Sequence, residues 1–501
     1  MSQSSPLPSY SAIYSFGDSL SDAGNLSIST AVAGTTEPVS PPYFQQQYGP
    51  ISGNVFSNGP TWVQNLSVAL GLGTLAPSLA GGTDFAFGGA ETGPTPQNAN
   101  DPKIQAISLP AQLVEFQTAV HAASSSALYA LSIGSNDLLD ILGTNGLTAQ
   151  QQTTDLNDAV ANEIGFVKQL VADGAKNLVV LDVPDLGKAP NVTTGLVNGS
   201  LTPSAALDAE ASQLASQYNS ALSSQLAAIA SVDTLNLHVL DAYALIDAAV
   251  ADPAAYGLTN VTTPVWSGNF TSSSSGTLAV SGATAQDQYL FWDTLHPTET
   301  GHQALADLAE EQLSGVPVLS VLDTTTGKPL AASGQPYTGP VSELQQQYIN
   351  ITSDNLNIGV STPNWFIYGG SGNNAITASS GTNVLDAGSG SGFLVGGTGT
   401  DTFFLDDRAA TANFWSTIAN FHARDAATIW GVTPGDFALS WQDGQGAAGY
   451  TGLTLHVTAP DAPTASLTLT GLTSAALGNG QLSVSYGTSG GTPYLYIHDN
   501  A

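Results

Sequence analysis

The amino-acid sequence predicts an α/β protein built on a parallel sheet over roughly its first 315 residues, followed by a β-rich C-terminal part. Three observations predict this. Helix-like and strand-like segments alternate: a helix end at Val167–Gly174, a buried strand over Asn177–Val183 and a long Ala/Leu-rich helix over Ser204–Ala230. A strand at Leu237–Leu240 and a closing amphipathic helix over Pro297–Leu313, with proline at its start, complete the series. Such alternation places helices on both faces of a parallel sheet. Second, polar side chains cluster where apolar runs break into glycine turns, as they do at the carboxyl edge of such a sheet. Third, a nine-residue period with fixed glycine and apolar places begins at Gly369, a sign of stacked β-structure.

Composition narrows the function classes. Hydrophobic residues make up 42% of the 501-residue chain, which is the content of a folded protein of two to four domains. Seven Lys+Arg stand against 39 Asp+Glu, a formal charge of -32. Nucleic acid is thereby excluded as a partner, because neutralising phosphates takes clustered cations, and anionic membrane surfaces repel the chain. There is no cysteine, so no disulfide or thiolate metal site forms, which suits export in an unfolded state. Met1–Tyr10 lacks a basic segment and an apolar core and does not read as a cleaved signal peptide. No run of eighteen apolar residues occurs, which excludes a helical membrane span. Sequons such as Asn191-Val192-Thr193 are accidents of a Ser/Thr-rich composition.

Four segments carry chemistry. Ser15-Phe16-Gly17-Asp18-Ser19-Leu20-Ser21-Asp22 follows the apolar Ala12-Ile13-Tyr14 and places a hydroxyl in a turn after a strand, free to be deprotonated and to attack. Asp84-Phe85-Ala86-Phe87-Gly88-Gly89-Ala90 ends in paired glycines that let backbone N–H groups approach a substrate. Leu131-Ser132-Ile133-Gly134-Ser135-Asn136-Asp137 supplies a side-chain amide. Phe291-Trp292-Asp293-Thr294-Leu295-His296-Pro297-Thr298 sets a carboxylate three residues before an imidazole, a spacing at which one turn lets Asp293 orient His296. Each segment alone has an ordinary reading: Ser19 and His296 as helix caps, Asn136 as a turn amide. Their occurrence together and in order argues for a site. Asp18, Asp22, Asn25 and Asp137 read as loop hydrogen-bonding residues.

These four blocks resemble those of the GDSL esterases/lipases of the SGNH hydrolase superfamily, over about the first 315 residues. Phe56-Ser57-Asn58-Gly59-Pro60-Thr61-Trp62-Val63 and Asp182-Val183-Pro184-Asp185-Leu186-Gly187 are similar to segments of its plant and bacterial branch. The resemblance implies an α/β/α sandwich with Ser19 as nucleophile, His296 as general base and then acid, and Asp293 as its orienting carboxylate. It implies an oxyanion hole from the N–H groups of Ser19 and Gly88 and the amide of Asn136, and no cofactor for catalysis. Asp84 departs from the family's usual asparagine, with an expected effect on local structure rather than chemistry.

Two further patterns are set aside. Gly487-Thr488-Ser489-Gly490-Gly491 fits G-x-S-x-G but lies between two strand-like runs, which makes it a hairpin turn. Gly71-Leu72-Gly73-Thr74-Leu75-Ala76 follows a helical pattern, not the strand that a dinucleotide loop needs.

From Val316 to Pro363 Ser, Gly, Pro and Thr dominate, the composition of a linker or irregular connection. In the nine-residue period that follows, glycine takes the fourth place (Gly372, Gly381, Gly390, Gly399) and a large apolar residue the eighth (Ile376, Leu385, Leu394, Phe403). This is similar to the repeat of RTX proteins, a parallel β-roll with Ca²⁺ between its turns. The sixth place should carry aspartate but holds Asn374, Asn383, Gly392 and Asp401. Ca²⁺ prefers carboxylate oxygen, so the roll is degenerate and Asp401 is the one candidate ligand for weak structural Ca²⁺. The short strands beyond it, from Thr417 onward, resemble the C-terminal region of exported RTX-type proteins, which implies a type I secretion channel as partner. His422, His456 and His498 lack metal-ligand spacing and read as structural or surface residues.

The sequence therefore predicts a hydrolase domain over residues 9–315, a connecting segment over 316–363, a degenerate β-roll over 364–410 and a β-rich secretion-type domain over 411–501. The expected protein is a secreted bacterial serine esterase or lipase acting on a small-molecule or lipid ester. Acyl transfer, phospholipid cleavage or polysaccharide deacetylation at the same site are the alternatives within the enzyme class. A non-catalytic surface-binding or adhesion protein is the alternative outside it, and oligomeric state stays open.

Overall fold

The apolar runs of the N-terminal region form a four-stranded, wholly parallel sheet in the computed structural model. The structure describes residues 8–94, 99–197, 201–233, 235–314, 318–330, 332–378, 380–397, 399–408, 412–460 and 462–500. The strands run Ile13–Gly17, Leu128–Ser132, Asn177–Leu181 and Asn236–Leu240, in that spatial order. Because strand side chains alternate between faces, Tyr129, Leu131, Leu178 and Val180 enter one core, while Leu128, Ala130, Val179 and Leu181 enter another. The first core includes residues of the helices Leu109–Val120, Ala149–Asp173 and Ala205–Asp233, and the second those of Trp62–Ala69 and Glu299–Ser314. Each fully buried Val or Leu contributes roughly 1.5–3 kcal/mol, and both faces are occupied, which gives three layers. No helix among the described residues is long and apolar enough to cross a membrane.

The chain divides into two compact units between Gly315 and Val316. The second unit contains a nine-stranded and an eight-stranded sheet. Successive nine-residue repeats fall in alternate sheets. Ile376 pairs with Leu394 in one and Leu385 with Phe403 in the other, and all four side chains are fully buried. Eighteen residues thus make one coil, and the eighth-place residues form two inward ladders.

Two expectations are corrected here. Residues 316–363 are not a linker: Leu319–Asp323, Gln346–Ile349 and Leu356–Val360 are strands of these same sheets. Their alternation of Leu319 with Val321, and of Leu356 with Ile358 and Val360, is the period-two signal of a half-buried strand, which the surrounding Ser, Gly, Pro and Thr masked. The sheets also extend beyond the boundary expected after residue 410. Phe414–Ile418 and Ala426–Trp430 continue the two parallel sheets with the coil lengthened to 24 residues. Antiparallel hairpins then extend both. The Gly490-Gly491 turn joins the paired strands Leu482–Ser489 and Thr492–Asp499, the hairpin that the sequence predicts.

Candidate active site

Register builds the site. Gly17 pairs with Ser132 in neighbouring parallel strands, so the turn carrying Ser19 and the start of the helix Ser135–Gly143, carrying Asn136, emerge side by side at the carboxyl edge. Gly17 has φ 134°, and a Cβ there would come within 1.9 Å of the Ser132 carbonyl oxygen; only glycine fits. On the other side of the first strand, the N–H groups of Phe85 and Phe87 donate to the carbonyls of Ser15 and Gly17, which brings the Gly88-Gly89 pair to the same edge. Asp18 shapes the serine turn, its Oδ1 accepting from Leu20 N–H at 3.0 Å and its carbonyl from the N–H groups of Ser21 and Asp22.

The fourth block closes on itself. Trp292 N–H donates to the His296 carbonyl at 2.8 Å, and Asp293 Oδ1 accepts from the N–H groups of Leu295 and His296 at 2.9 and 2.8 Å. Within this loop His296 Nδ1 stands 2.9 and 2.8 Å from the two Asp293 oxygens, and Nε2 lies 2.8 Å from Ser19 Oγ. All three side chains are buried, and Ser19 and His296 line a pocket. Burial acts to raise the Asp293 carboxyl, but the charge of His296 and the hydrogen bonds it receives hold it below the ordinary carboxylate value. It therefore stays ionised and fixes the imidazole with Nδ1 protonated and Nε2 facing the hydroxyl. Phe56 packs on the imidazole at 4.9 Å between centroids, and Ser57 Oγ donates to the Pro297 carbonyl at 2.8 Å. The 56–63 segment thus braces the histidine loop. One supporting residue carries no sequence motif: Tyr43, whose hydroxyl donates to Asp293 Oδ2 at 2.7 Å.

The structure brings Ser19, Asp293, His296 and Asn136 together but gives Gly88 a different task. Its N–H donates to Asp22 Oδ2 at 2.8 Å, so Gly88 is not available to an oxyanion. Asp22 also accepts from Gly24, Asn25 and Leu26 N–H groups, and it clamps the glycine segment to the start of the helix Asn25–Val32. The next residue, Gly89, is exposed with φ 78°, and its N–H makes no hydrogen bond to the described residues. Asn136 Nδ2 donates to the Ala90 carbonyl at 2.8 Å, which leaves its second amide hydrogen without a partner among the described residues. Asp84 holds Ala23 N–H at 2.7 Å and Ala86 N–H at 3.2 Å, a local structural role. Asp137 turns away to Thr92. Beyond the catalytic edge the pocket is apolar, lined by Leu20, Pro184, Leu186, Ile246, Phe291 and Leu295 among others, with about 570 Å³ of empty space, part of it open to solvent.

In the second unit, Asp401 is fully buried in its turn, with Oδ1 accepting from the N–H and the side-chain amide of Asn383. His422, expected to be a structural or surface residue, is brought beside it together with Asp425. Sequence spacing could not show this, because Asp401 meets His422 and Asp425, which lie three residues apart, only across stacked coils.

A hydroxyl, an imidazole and a carboxylate joined in that order at the carboxyl edge of a parallel sheet are the arrangement of a serine hydrolase. The sequence matches the GDSL-like Lipase/Acylhydrolase family over residues 13–309, more than half of the chain, and the protein belongs to that family. It is 32% identical over 348 residues to esterase EstA of Pseudomonas aeruginosa, covering 64% of this chain and 49% of that one. The chain thus spans about half the length of that relative. It is 26% identical over 343 residues to a phosphatidylcholine-sterol acyltransferase of Aeromonas hydrophila, covering 60% and 90% of the two chains. Among solved structures, a catalytic mutant of the acetylxylan esterase Axe2 of Geobacillus stearothermophilus is similar at 13% identity and a TM-score of 0.32, over 62% of this chain and 97% of that one.

Proposed function

We propose that the protein is a serine esterase or lipase that hydrolyses carboxylic esters bearing an apolar acyl chain through an acyl-enzyme intermediate. The observation that carries this is the 2.8 Å approach of His296 Nε2 to Ser19 Oγ with Asp293 on the opposite ring nitrogen. In this reading Ser19 Oγ attacks the ester carbonyl carbon while its proton passes to Nε2. The tetrahedral oxyanion is met by the N–H groups of Ser19 and Gly89 and by the free amide hydrogen of Asn136, donors that need no reorganisation during reaction. Collapse breaks the bond to the alcohol oxygen, which leaves with the proton from Nε2. Water, deprotonated by the same nitrogen, then releases the acid and restores Ser19.

The apolar lining of the pocket next to Ser19 supports acyl chains longer than acetyl. Ser19→Ala should abolish hydrolysis of p-nitrophenyl esters with little change in melting temperature, since one pocket-lining oxygen is lost and no apolar packing. Across acyl lengths, kcat/KM should rise from acetyl to medium chains. Retained turnover in Ser19→Ala would reject the mechanism, and a preference for acetyl would reassign the substrate to a deacetylation.

For the second unit we infer a degenerate β-roll that serves export and stability, with secretion through a type I channel. The nine-residue period, the eighteen-residue coil, the lack of cysteine and the charge of -32 support it. Among the described repeats Asp401 alone brings a carboxylate to the sixth place, whereas Asn374 and Asn383 fill their turns with amide hydrogens, so the Asp401 turn is the candidate for a structural cation. Co-expression with a type I transporter should release the protein into the medium; retention in the cell would count against export by this route.

A further inference from the structure

We propose that Asp401, His422 and Asp425 form a binding site for one divalent transition-metal ion, with Zn²⁺ as the ion the donor set favours. The argument starts from a ladder that runs through the sixth place of the repeats. Asn374 Oδ1 accepts from Leu356 N–H and Asn383 Oδ1 from Trp365 N–H, each eighteen residues back, both at 3.0 Å. Their Nδ2 groups point the other way, into the turn. Asn374 donates to the carbonyls of Gly369 and Gly372, and Asn383 to those of Ser380 and Gly381. In these coils each amide does two jobs: its oxygen caps the coil before it, and its hydrogens fill a cradle of oxygens.

Asp401 occupies the same rung and can do only the first job. Its Oδ1 accepts from Asn383 N–H at 2.8 Å. Its Oδ2 has no hydrogen to offer, is buried and has no hydrogen-bond partner among the described residues. A buried carboxylate oxygen left alone is costly, and such atoms in folded proteins are satisfied by a proton, a water or an ion.

Two further donors face it. Asp425, on the next rung, accepts from Asp401 N–H through Oδ1 at 2.8 Å and presents Oδ2 to His422 Nδ1 at 3.4 Å. His422 Nε2 lies 3.2 Å from the Gly397 carbonyl. A carbonyl only accepts, so Nε2 carries the hydrogen, and Nδ1, turned toward Asp425, is the ring nitrogen left to bind an ion. One ligand atom from each of the three residues lies within 4.8 Å of the other two, which brings three acceptors together. The Gly397 contact is the outer-shell carbonyl that metal-bound histidines use to fix their tautomer.

The donor set separates the candidate ions. Ca²⁺ takes six to eight oxygens. Here the carbonyls of Gly396 and Gly397 are already held by Asn420 Nδ2 at 2.7 and 3.3 Å, and one of the three ligands is nitrogen. Two carboxylate oxygens and an imidazole, with a fourth position for water, are a four-coordinate Zn²⁺ set. The His422 side chain is 37% exposed, which gives the ion a way in.

The test uses the full chain stripped with EDTA, titrated calorimetrically with ZnCl₂ or CaCl₂ alone and melted with and without each. The wild type should take up one Zn²⁺ and melt at a higher temperature with it. Asp401→Asn and His422→Gln should each weaken Zn²⁺ binding at least about tenfold and lose the rise in melting temperature. Metal-free Asp401→Asn should melt no lower than metal-free wild type, because the new amide supplies the hydrogens that Asn374 and Asn383 supply in their turns. Equal Zn²⁺ binding by wild type and variants, no binding at all, or binding of Ca²⁺ without Zn²⁺ would overturn the proposal. The second of these results would mean that Asp401 and His422 share protons rather than an ion.

Discussion

The Tyr43 hydroxyl donates a 2.7 Å hydrogen bond to Asp293 Oδ2, the same carboxylate oxygen that lies 2.8 Å from His296 Nδ1. Burial, then the Asp293 charge and this hydrogen bond, push the Tyr43 hydroxyl well above its ordinary value, so it remains a donor at every working pH. It supports the carboxylate against rotation away from the imidazole. Tyr43→Phe keeps the ring between Phe56 and Trp292 and removes only that donor. A hydrogen bond to a charged group is worth roughly 1.5–3 kcal/mol. If about 1.4 kcal/mol of it acts in the transition state, kcat falls about tenfold. Steady-state kinetics on a p-nitrophenyl ester should show that fall with KM unchanged; an unchanged kcat would make Tyr43 a packing residue only.

The oxyanion assignment makes its own prediction. Asn136 has one amide hydrogen on the Ala90 carbonyl and one to spare, so Asn136→Ala should lower kcat by about 100- to 1,000-fold while KM changes little. A rise in KM at constant kcat would place Asn136 in substrate binding instead.

Stability should depend on pH in an unusual direction. Burial pushes the carboxyls of Asp18 and Asp137 up to about 7 and that of Glu163 up to about 8, against an ordinary value near 4. Between those values the folded state binds more protons than the unfolded one, so unfolding free energy decreases with rising pH. The stabilisation is complete below the ordinary value and is lost as pH rises through the folded values. Asp293, held low, acts oppositely, but only on acidification below the ordinary carboxylate range. Growing self-repulsion in a chain of formal charge -32 adds to the same trend. Scanning calorimetry should find the melting temperature of the hydrolase unit falling from pH 5 to pH 8; a rise over that interval would contradict the burial argument.

The clustering of Ser19, Asn136, Asp293 and His296 was legible because these residues sit in short local patterns beside apolar runs. Ser19, Asn136, Asp293 and His296 are fixed by that local geometry plus the register of parallel strands. The hydrogen bond that occupies the Gly88 N–H was not legible, because two adjacent glycines look alike in sequence; what separates them is Asp22, sixty-six residues earlier, which holds that N–H. Tyr43 was invisible, since a tyrosine 250 positions from its carboxylate partner leaves no spacing signal. The eighth-place ladder showed itself through period, whereas the strands over 319–360 were hidden by turn-forming residues around them. His422 meets Asp401 only because the coil lengthens to 24 residues there, an irregularity that no repeat pattern foretells.

The most direct measurement is mass spectrometry of the protein after brief treatment with a fluorophosphonate, whose phosphorus is attacked only by an activated hydroxyl. One adduct per chain on the peptide carrying Ser19, lost in His296→Ala, is the predicted result. An unmodified Ser19 in folded protein, or labelling that persists without the imidazole, would contradict a nucleophile activated by His296.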